Sequence, residues 1–214
     1  GFRAELVDTI LGANAHVTVY KQPMKDTKGN VYRSFKNYES VNSIITSLDG
    51  VKRAAPLIRG QVMASANATT TGVDVFGISP ENILTIRRVS DPETSNGDIK
   101  NFSKGLAIGS GVAEALNVSV GDQIKLISPT GVKTAFGASP RVKTFEVQYV
   151  FSAGRHDMDK VRIYMPFIDA QEYFDRDNLA DEIEVLVNQP DQIEKIVEKL
   201  SGATDGEFLF WTWK

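Results

Sequence analysis

The same order of elements is written at both ends of the chain, and this repetition limits the fold more than any other feature. Near the start, His16 to Tyr20 alternates as a short strand. Val41, Ile44, Ile45 and Leu48 follow at helical spacing, with Asp49-Gly50 to end the helix. Residues 51–66 then read as extended chain, interrupted at Pro56. Near the end, residues 182–187 form an apolar strand, and Pro190 opens a helix whose stripe is Ile193, Ile196, Val197 and Leu200. Gly202 is the expected stop, and 208–213 the final strand. Two strand–helix–strand units separated by an insertion pack best as one layered structure, with the chain ends close together.

The middle has a different texture. Residues 73–78 and 83–89 read as strands, 90–101 as a solvated loop, and 106–109 as a strand leading to a helix at 112–116. Residues 118–127 and 144–151 add two more strands. A strand at 162–165 runs into a helix at 167–174. The expected fold is α+β: a split layer of two βαβ units, 1–66 with 161–214, and an inserted β-rich part, 67–160. Residues 21–37 are polar and turn-rich, a loop or exposed hairpin. Residues 2–11 carry Phe2, Leu6, Ile10 and Leu11 at helical spacing, with no capping residue ahead of them, so this helix is expected to continue a longer chain. The other end, Trp211-Thr-Trp-Lys214, has the composition of a membrane–water interface, or else of one face of a last strand.

Composition excludes several kinds of chemistry. The 214 residues include no cysteine, which removes disulfides, thiolate zinc sites and a cysteine nucleophile. A net charge of −3 gives no global field for nucleic acid. No apolar run reaches the ~20 residues that span a bilayer. The glycine-rich run Gly105-Leu-Ala-Ile-Gly-Ser-Gly-Val-Ala-Glu fails as a phosphate loop: Val112 and Ala113 stand where a Lys-Ser pair belongs, and Glu114 replaces the last glycine of a dinucleotide turn. A tight turn with close helix packing explains it better. The cluster His156, Asp157 and Asp159 suggests a metal-dependent hydrolase only remotely, because the ligand set is incomplete. No catalytic, metal or cofactor residue is assigned.

The stretch 128–143, Ser-Pro-Thr-Gly-Val-Lys-Thr-Ala-Phe-Gly-Ala-Ser-Pro-Arg-Val-Lys, lies between two strands and is far longer than the usual 2–5 residues of a hairpin loop. Pro129 and Pro140 stiffen its two necks, and Val132, Ala135 and Phe136 make its middle apolar. Two readings remain on composition: Phe136 folds back on the body or the loop is disordered, or the loop is a protruding arm that binds a partner. Lys125, Arg141 and Lys143 are expected to meet at its root as a positive patch.

Three segments together resemble the periplasmic domain of the LolC/LolE family, membrane subunits of the lipoprotein-releasing ABC transporter. They are Val7-Asp-Thr-Ile-Leu-Gly-Ala-Asn-Ala-His-Val-Thr-Val, Val73-Asp-Val-Phe-Gly-Ile-Ser-Pro, and the run from Gly105 to Leu126. Pro166-Phe-Ile-Asp-Ala-Gln-Glu-Tyr-Phe also fits, and the Gly-Asp piece is shared with wider MacB-like domains. The resemblance implies a Porter-like split layer, an inserted Sabre-like part, and transmembrane helices on either side of the chain. It implies an inner-membrane permease of a Gram-negative bacterium with this domain in the periplasm, and a separate ATPase, LolD. A second permease subunit and a lipoprotein substrate are implied with it. In the member that recruits the chaperone LolA, a hairpin called the Hook enters the chaperone and the Pad at its root makes a second contact. By position, Pro129 to Pro140 match the Hook, with Val132, Ala135 and Phe136 at its apolar tip, while Lys125, Val142 and Lys143 match the Pad. Lysines stand where arginines are expected, and lysine lacks the bidentate fork.

The expected function is therefore non-enzymatic: passing acylated lipoproteins to LolA, driven by ATP-linked motion carried through the 2–11 helix. The alternatives are another MacB-like exporter or a cell-division-type permease.

Overall fold

The computed structural model describes residues 16–25, 27, 29, 31–129 and 133–212. The helix expected at 2–11, Val132 and Trp213 lie outside these residues. In chain order the strands are β1 (His16–Tyr20), β2 (Met24–Lys25), β3 (Val31–Tyr32), β4 (Val51–Ala66), β5 (Thr69–Ile78), β6 (Ser95–Gly97), β7 (Leu106–Gly109), β8 (Gln123–Ser128), β9 (Lys133–Thr134), β10 (Gly137–Ala138), β11 (Arg141–Phe151), β12 (Arg162–Pro166), β13 (Glu182–Val187) and β14 (Leu209–Thr212). The chain divides into two compact units: one runs to Ile58 and resumes at Arg176, the other is Arg59–Asp175. The sequence drew these lines at 66/67 and 160/161, at changes of texture. β4 itself runs through the first line, so no break in pattern marks it.

In the first unit the strand order is β14-β1-β13-β4, with every neighbouring pair antiparallel. β1 and β4 therefore run parallel to each other on either side of β13, joined through the helix Tyr38–Thr46. β13 and β14 flank β1 in the same way, joined through the helix Ile193–Ala203. These are two interleaved, split βαβ units. Alternation sends Val17, Val19, Ile183 and Val185 to one face, all fully buried, and the helices bury Ile45, Ile196 and Leu200. Val17 stands opposite Thr212, so the start of β1 and the end of β14 are neighbours.

Two expectations fail here for local reasons. Pro56 does not interrupt the extended chain; β4 runs through it, with Pro56 opposite Ile183. Gly202 does not stop the last helix, which continues to Ala203 and turns out at Asp205 and Gly206, both at positive φ (54° and 72°).

The second unit closes on itself. Its part of β4 pairs β5, then come β12, β7, β11 and β8, and β8 pairs β4 again. Closure removes sheet edges from this ring. β6 adds a short flank to β11. β12 runs parallel to β5 and β11 parallel to β7, so the ring is mixed. Phe102, Leu106, Ile108, Val147, Phe151 and Ile163 are fully buried in this unit.

The strand expected at 83–89 is instead two helical turns, Pro80–Ile83 and Arg87–Ser90. Ser79 caps the first, its Oγ accepting from the Asn82 amide at 3.2 Å, and Pro80 occupies the favoured first position. Ile83, Ile86 and Val89 are all buried, a spacing of three that suits helical turns better than alternation. The loop expected at 90–101 contains β6 and two 3₁₀ turns, Pro92–Thr94 and Ile99–Lys104, started by Asp91 and Asp98 accepting from the amides two residues on. The strand expected from 118 begins only at Gln123, because Asp122 ties back to the Ser119 amide at 2.8 Å in a turn through Gly121.

The glycine-rich run owes its composition to packing. A Cβ at Gly109 would lie 2.2 Å from the carbonyl oxygen of Asp159. The helix Ser110–Leu116 and the helical turn His156–Asp159 can approach only because that position is bare.

Candidate functional site

The stretch 128–143 is a hairpin in two stages. The root ladder pairs β8 with β11: Ile124 faces Phe145, Lys125 faces Thr144, Leu126 faces Lys143, Ile127 faces Val142 and Ser128 faces Arg141. The ladder stops at the two prolines, which cannot donate a backbone N–H. Pairing resumes beyond them, with Lys133 opposite Ala138 and Thr134 opposite Gly137. Ala135 and Phe136 make the turn, and Gly137 at φ 115° takes the left-handed position beside it. Phe136 is fully exposed, and Pro129, Ala135 and Pro140 are exposed as well.

Register decides what the root can do. In an antiparallel ladder, opposed residues share a face and successive residues alternate. Lys125 therefore shares one face with Ile127, Val142 and Thr144, and Lys143 shares the other with Leu126, Ser128 and Arg141. The positive patch expected from Lys125, Arg141 and Lys143 does not form on one face. Arg141 is committed elsewhere: its Nη1 donates to the carbonyl of Glu172 at 3.3 Å and to that of Tyr173. These carbonyls end the helix Phe167–Tyr173, where a cation is favoured. Lys143 Nζ sits 5.3 Å from the centre of the Phe145 ring. It also lies near Asp169, whose carboxyl burial pushes up, with Lys143 pulling it down and Glu172 adding to the rise. Burial pushes the Tyr173 phenol up to about 12, against the positive charge of Arg141.

The outer face holds a row that sequence reasoning missed. β4 pairs β8 so that Met63 faces Ile127 and Ser65 faces Lys125. Met63, Ile127 and Val142 thus stand side by side on three strands, with Met63 40% and Val142 55% exposed. Ser65, Lys125 and Thr144 form the next row. Met63 is distant in sequence from the arm, and only the closure of β8 onto β4 brings it there.

The His156 cluster is occupied by structural work. Asp159 accepts from the amides of Ala153 (2.7 Å) and Gly154 (3.2 Å), closing the loop before its own helical turn. Arg155 pairs with Asp157 through two bonds of 3.1 and 3.0 Å, which hold that carboxyl below its ordinary value. Among the described residues no group of three or more acids and histidines could hold a metal ion.

The fold is α+β, with a split βαβ layer in one unit and a closed mixed ring bearing an exposed arm in the other. The chain belongs to the MacB-like periplasmic core domain family, whose model matches residues 1–203. The periplasmic region of MacB from Actinobacillus actinomycetemcomitans shares the fold with a TM-score of 0.61 at 11% identity, over 99% of this chain and 94% of that one. The extracellular domain of the noncanonic ABC-type transporter YknZ from Gram-positive bacteria shares it with a TM-score of 0.58 at 18% identity, over 93% and 100%. Among curated proteins, the lipoprotein-releasing system transmembrane protein LolC of Neisseria meningitidis is 24% identical over 161 residues, covering 74% of this chain and 37% of that protein. The protein of the same name from Xylella fastidiosa Temecula1 is 24% identical over 218 residues, covering 100% and 49%. The chain thus spans less than half the length of these relatives. Among the described residues no helix is long and apolar enough to cross a membrane. The chain is a MacB-like periplasmic domain of the type carried by ABC-transporter permeases.

Proposed function

We propose that this domain belongs to a lipoprotein-releasing permease and that its arm, 128–143, docks the periplasmic chaperone LolA. One observation carries the reading: Phe136 stands fully exposed at the turn of a proline-necked hairpin, a large apolar ring presented to solvent at the tip of an arm. Pro129, Val132, Ala135, Phe136 and Pro140 form the inserted part. At the root, Val142 with Met63 and Ile127 supplies an apolar contact, and Lys125 supplies the charge beside it. Lys143, on the opposite face near Asp169, has the smaller share. The remainder of the machine follows the same proposal: a cytoplasmic ATPase of the LolD type, a second permease subunit and an acylated lipoprotein as cargo.

Burying a Phe side chain contributes about 1.5–3 kcal/mol, so Phe136→Asp is expected to weaken LolA binding at least tenfold in a calorimetric titration. Val142→Asp and Lys125→Glu should each weaken it further than Lys143→Glu. Undiminished binding by Phe136→Asp would sink the docking arm. Equal losses from Lys125→Glu and Lys143→Glu would sink the assignment of faces. The likeness to MacB supports a second reading, an exporter domain with another periplasmic partner. Absence of LolA binding by the unaltered chain, with its arm intact, favours that reading.

A further inference from the structure

The first unit carries a second hairpin that the proposed docking does not use. The connection from β1 to the helix Tyr38–Thr46 occupies residues 21–37, although such a connection ordinarily takes about 2–6 residues. β2 and β3 pair within it as a separate two-stranded sheet, Met24 opposite Tyr32 and Lys25 opposite Val31. Its root is fixed. Phe35 is buried, exchanges backbone bonds of 2.8 and 3.1 Å with Ala180, and sets its ring edge-on to Phe208 at 5.0 Å. Beyond that anchor the surface is apolar and exposed: Met24 57%, Val31 66% and Tyr32 44%.

The charge of the segment opposes that of the chain. Lys21, Lys25, Lys28, Arg33 and Lys36 stand against the single carboxylate Asp26, in a chain of net charge −3. Arg33 is partly offset by Glu182 at 3.5 Å and covers the Tyr20 ring at 5.2 Å; Lys21 lies 5.3 Å from the centre of the Phe208 ring. Lys25 and Lys36 are exposed.

We propose that this hairpin is a contact surface for anionic phospholipid headgroups. Two observations favour lipid over an acidic protein. Exposed apolar side chains among cations match an interface in which the apolar groups enter the acyl boundary while ammonium groups stay at phosphate depth. Four of the five cations are lysines, point charges suited to a diffuse anionic layer and lacking the bidentate fork of a docked ion pair.

The test is flotation of the 214-residue chain with vesicles of phosphatidylcholine alone, or with phosphatidylglycerol added. Binding is expected only with phosphatidylglycerol and is expected to fall as salt is raised. Each basic side chain near an anionic surface contributes about fivefold, so Lys25→Gln with Lys36→Gln should reduce the partition about twenty-five-fold. Met24→Ser with Tyr32→Ser should reduce it as well, with the circular dichroism spectrum unchanged. Phe136→Asp should leave it intact, which separates this surface from the docking arm. Equal binding to both vesicle types, or an undiminished lysine variant, would overturn the proposal. Capture by polyglutamate without vesicle binding would overturn it in favour of an acidic protein partner.

Discussion

His16 is one residue whose chemistry sets a condition on the whole first unit. It is buried on β1 beside Trp211, whose ring lies 6.0 Å away edge-on, and burial pushes its pKa down from 6.5 to about 4. The folded state therefore holds the neutral imidazole, while the unfolded chain takes up a proton below about 6.5. Stability is full above that value, falls as pH drops from about 6.5 towards 4, and stays low beneath. The shift corresponds to a loss of about 3 kcal/mol. Urea unfolding near pH 7 and near pH 4.5 should show most of that difference, and His16→Gln should flatten the slope across this window even if it lowers stability throughout. An unchanged slope would show that other groups carry the acid sensitivity. Its alternation with Thr18 and Tyr20 looks polar, a pattern that by itself suits a surface or edge position. The strand is in fact interior to its sheet, with β13 on one side and β14 on the other, and no local pattern records a neighbour two hundred residues away.

Elements were legible where one physical signal acted alone, and misread where two competed. The helices at 38–46 and 193–203 and the strands β1, β13 and β14 follow from apolar spacing and turn residues. The segment 83–89 misled because Ile83, Ile86 and Val89 are apolar and β-branched, which suits a strand, while Ser79-Pro80 sets a helical start that decides the outcome. At the arm, the long loop and its stiff necks were visible, whereas the faces of Lys125 and Lys143 depend on register, which a single residue's slip would exchange. The turn of the β4–β5 hairpin offers a check on such local rules. Asn67 and Ala68 both take left-handed conformations, φ 51° and 61°. Asn67 is held there by its Nδ2, which donates to the carbonyls of Leu116 (2.9 Å) and Asn117 (2.8 Å) and so caps the end of the helix Ser110–Leu116. Ala68 has no such support, and a left-handed alanine costs about 1–2 kcal/mol. Glycine relieves that strain but gives back about 0.4–1 kcal/mol by loosening the unfolded chain. Ala68→Gly is thus expected to gain about 0.5–1 kcal/mol in chemical unfolding, and a loss would show that the turn is not strained.

At the scale of the molecule, the strand–helix–strand grammar of the two ends revealed the split layer, because each unit of that grammar is local. The ring of the second unit was not legible. Its closure depends on β8 pairing both β11 and β4, a long-range choice made by complementary faces and recorded in no short pattern. The difference has a consequence for folding. The second unit is one continuous segment, Arg59–Asp175, with its pairing satisfied inside itself. The first needs two distant segments, brought together where Leu57 accepts from the Asp181 amide at 2.9 Å and Pro56 faces Ile183. A polypeptide of residues 59–175 is therefore expected to fold alone, with dispersed amide resonances and a cooperative thermal transition. Residues 1–58 are expected to stay unfolded alone, since β1 and β4 would lack β13 between them, and to recover structure when joined to 176–214 by a short flexible linker replacing the barrel. A 59–175 fragment with collapsed resonances would mean that the ring borrows its stability from the split layer, and that the insertion is not a folding unit in its own right.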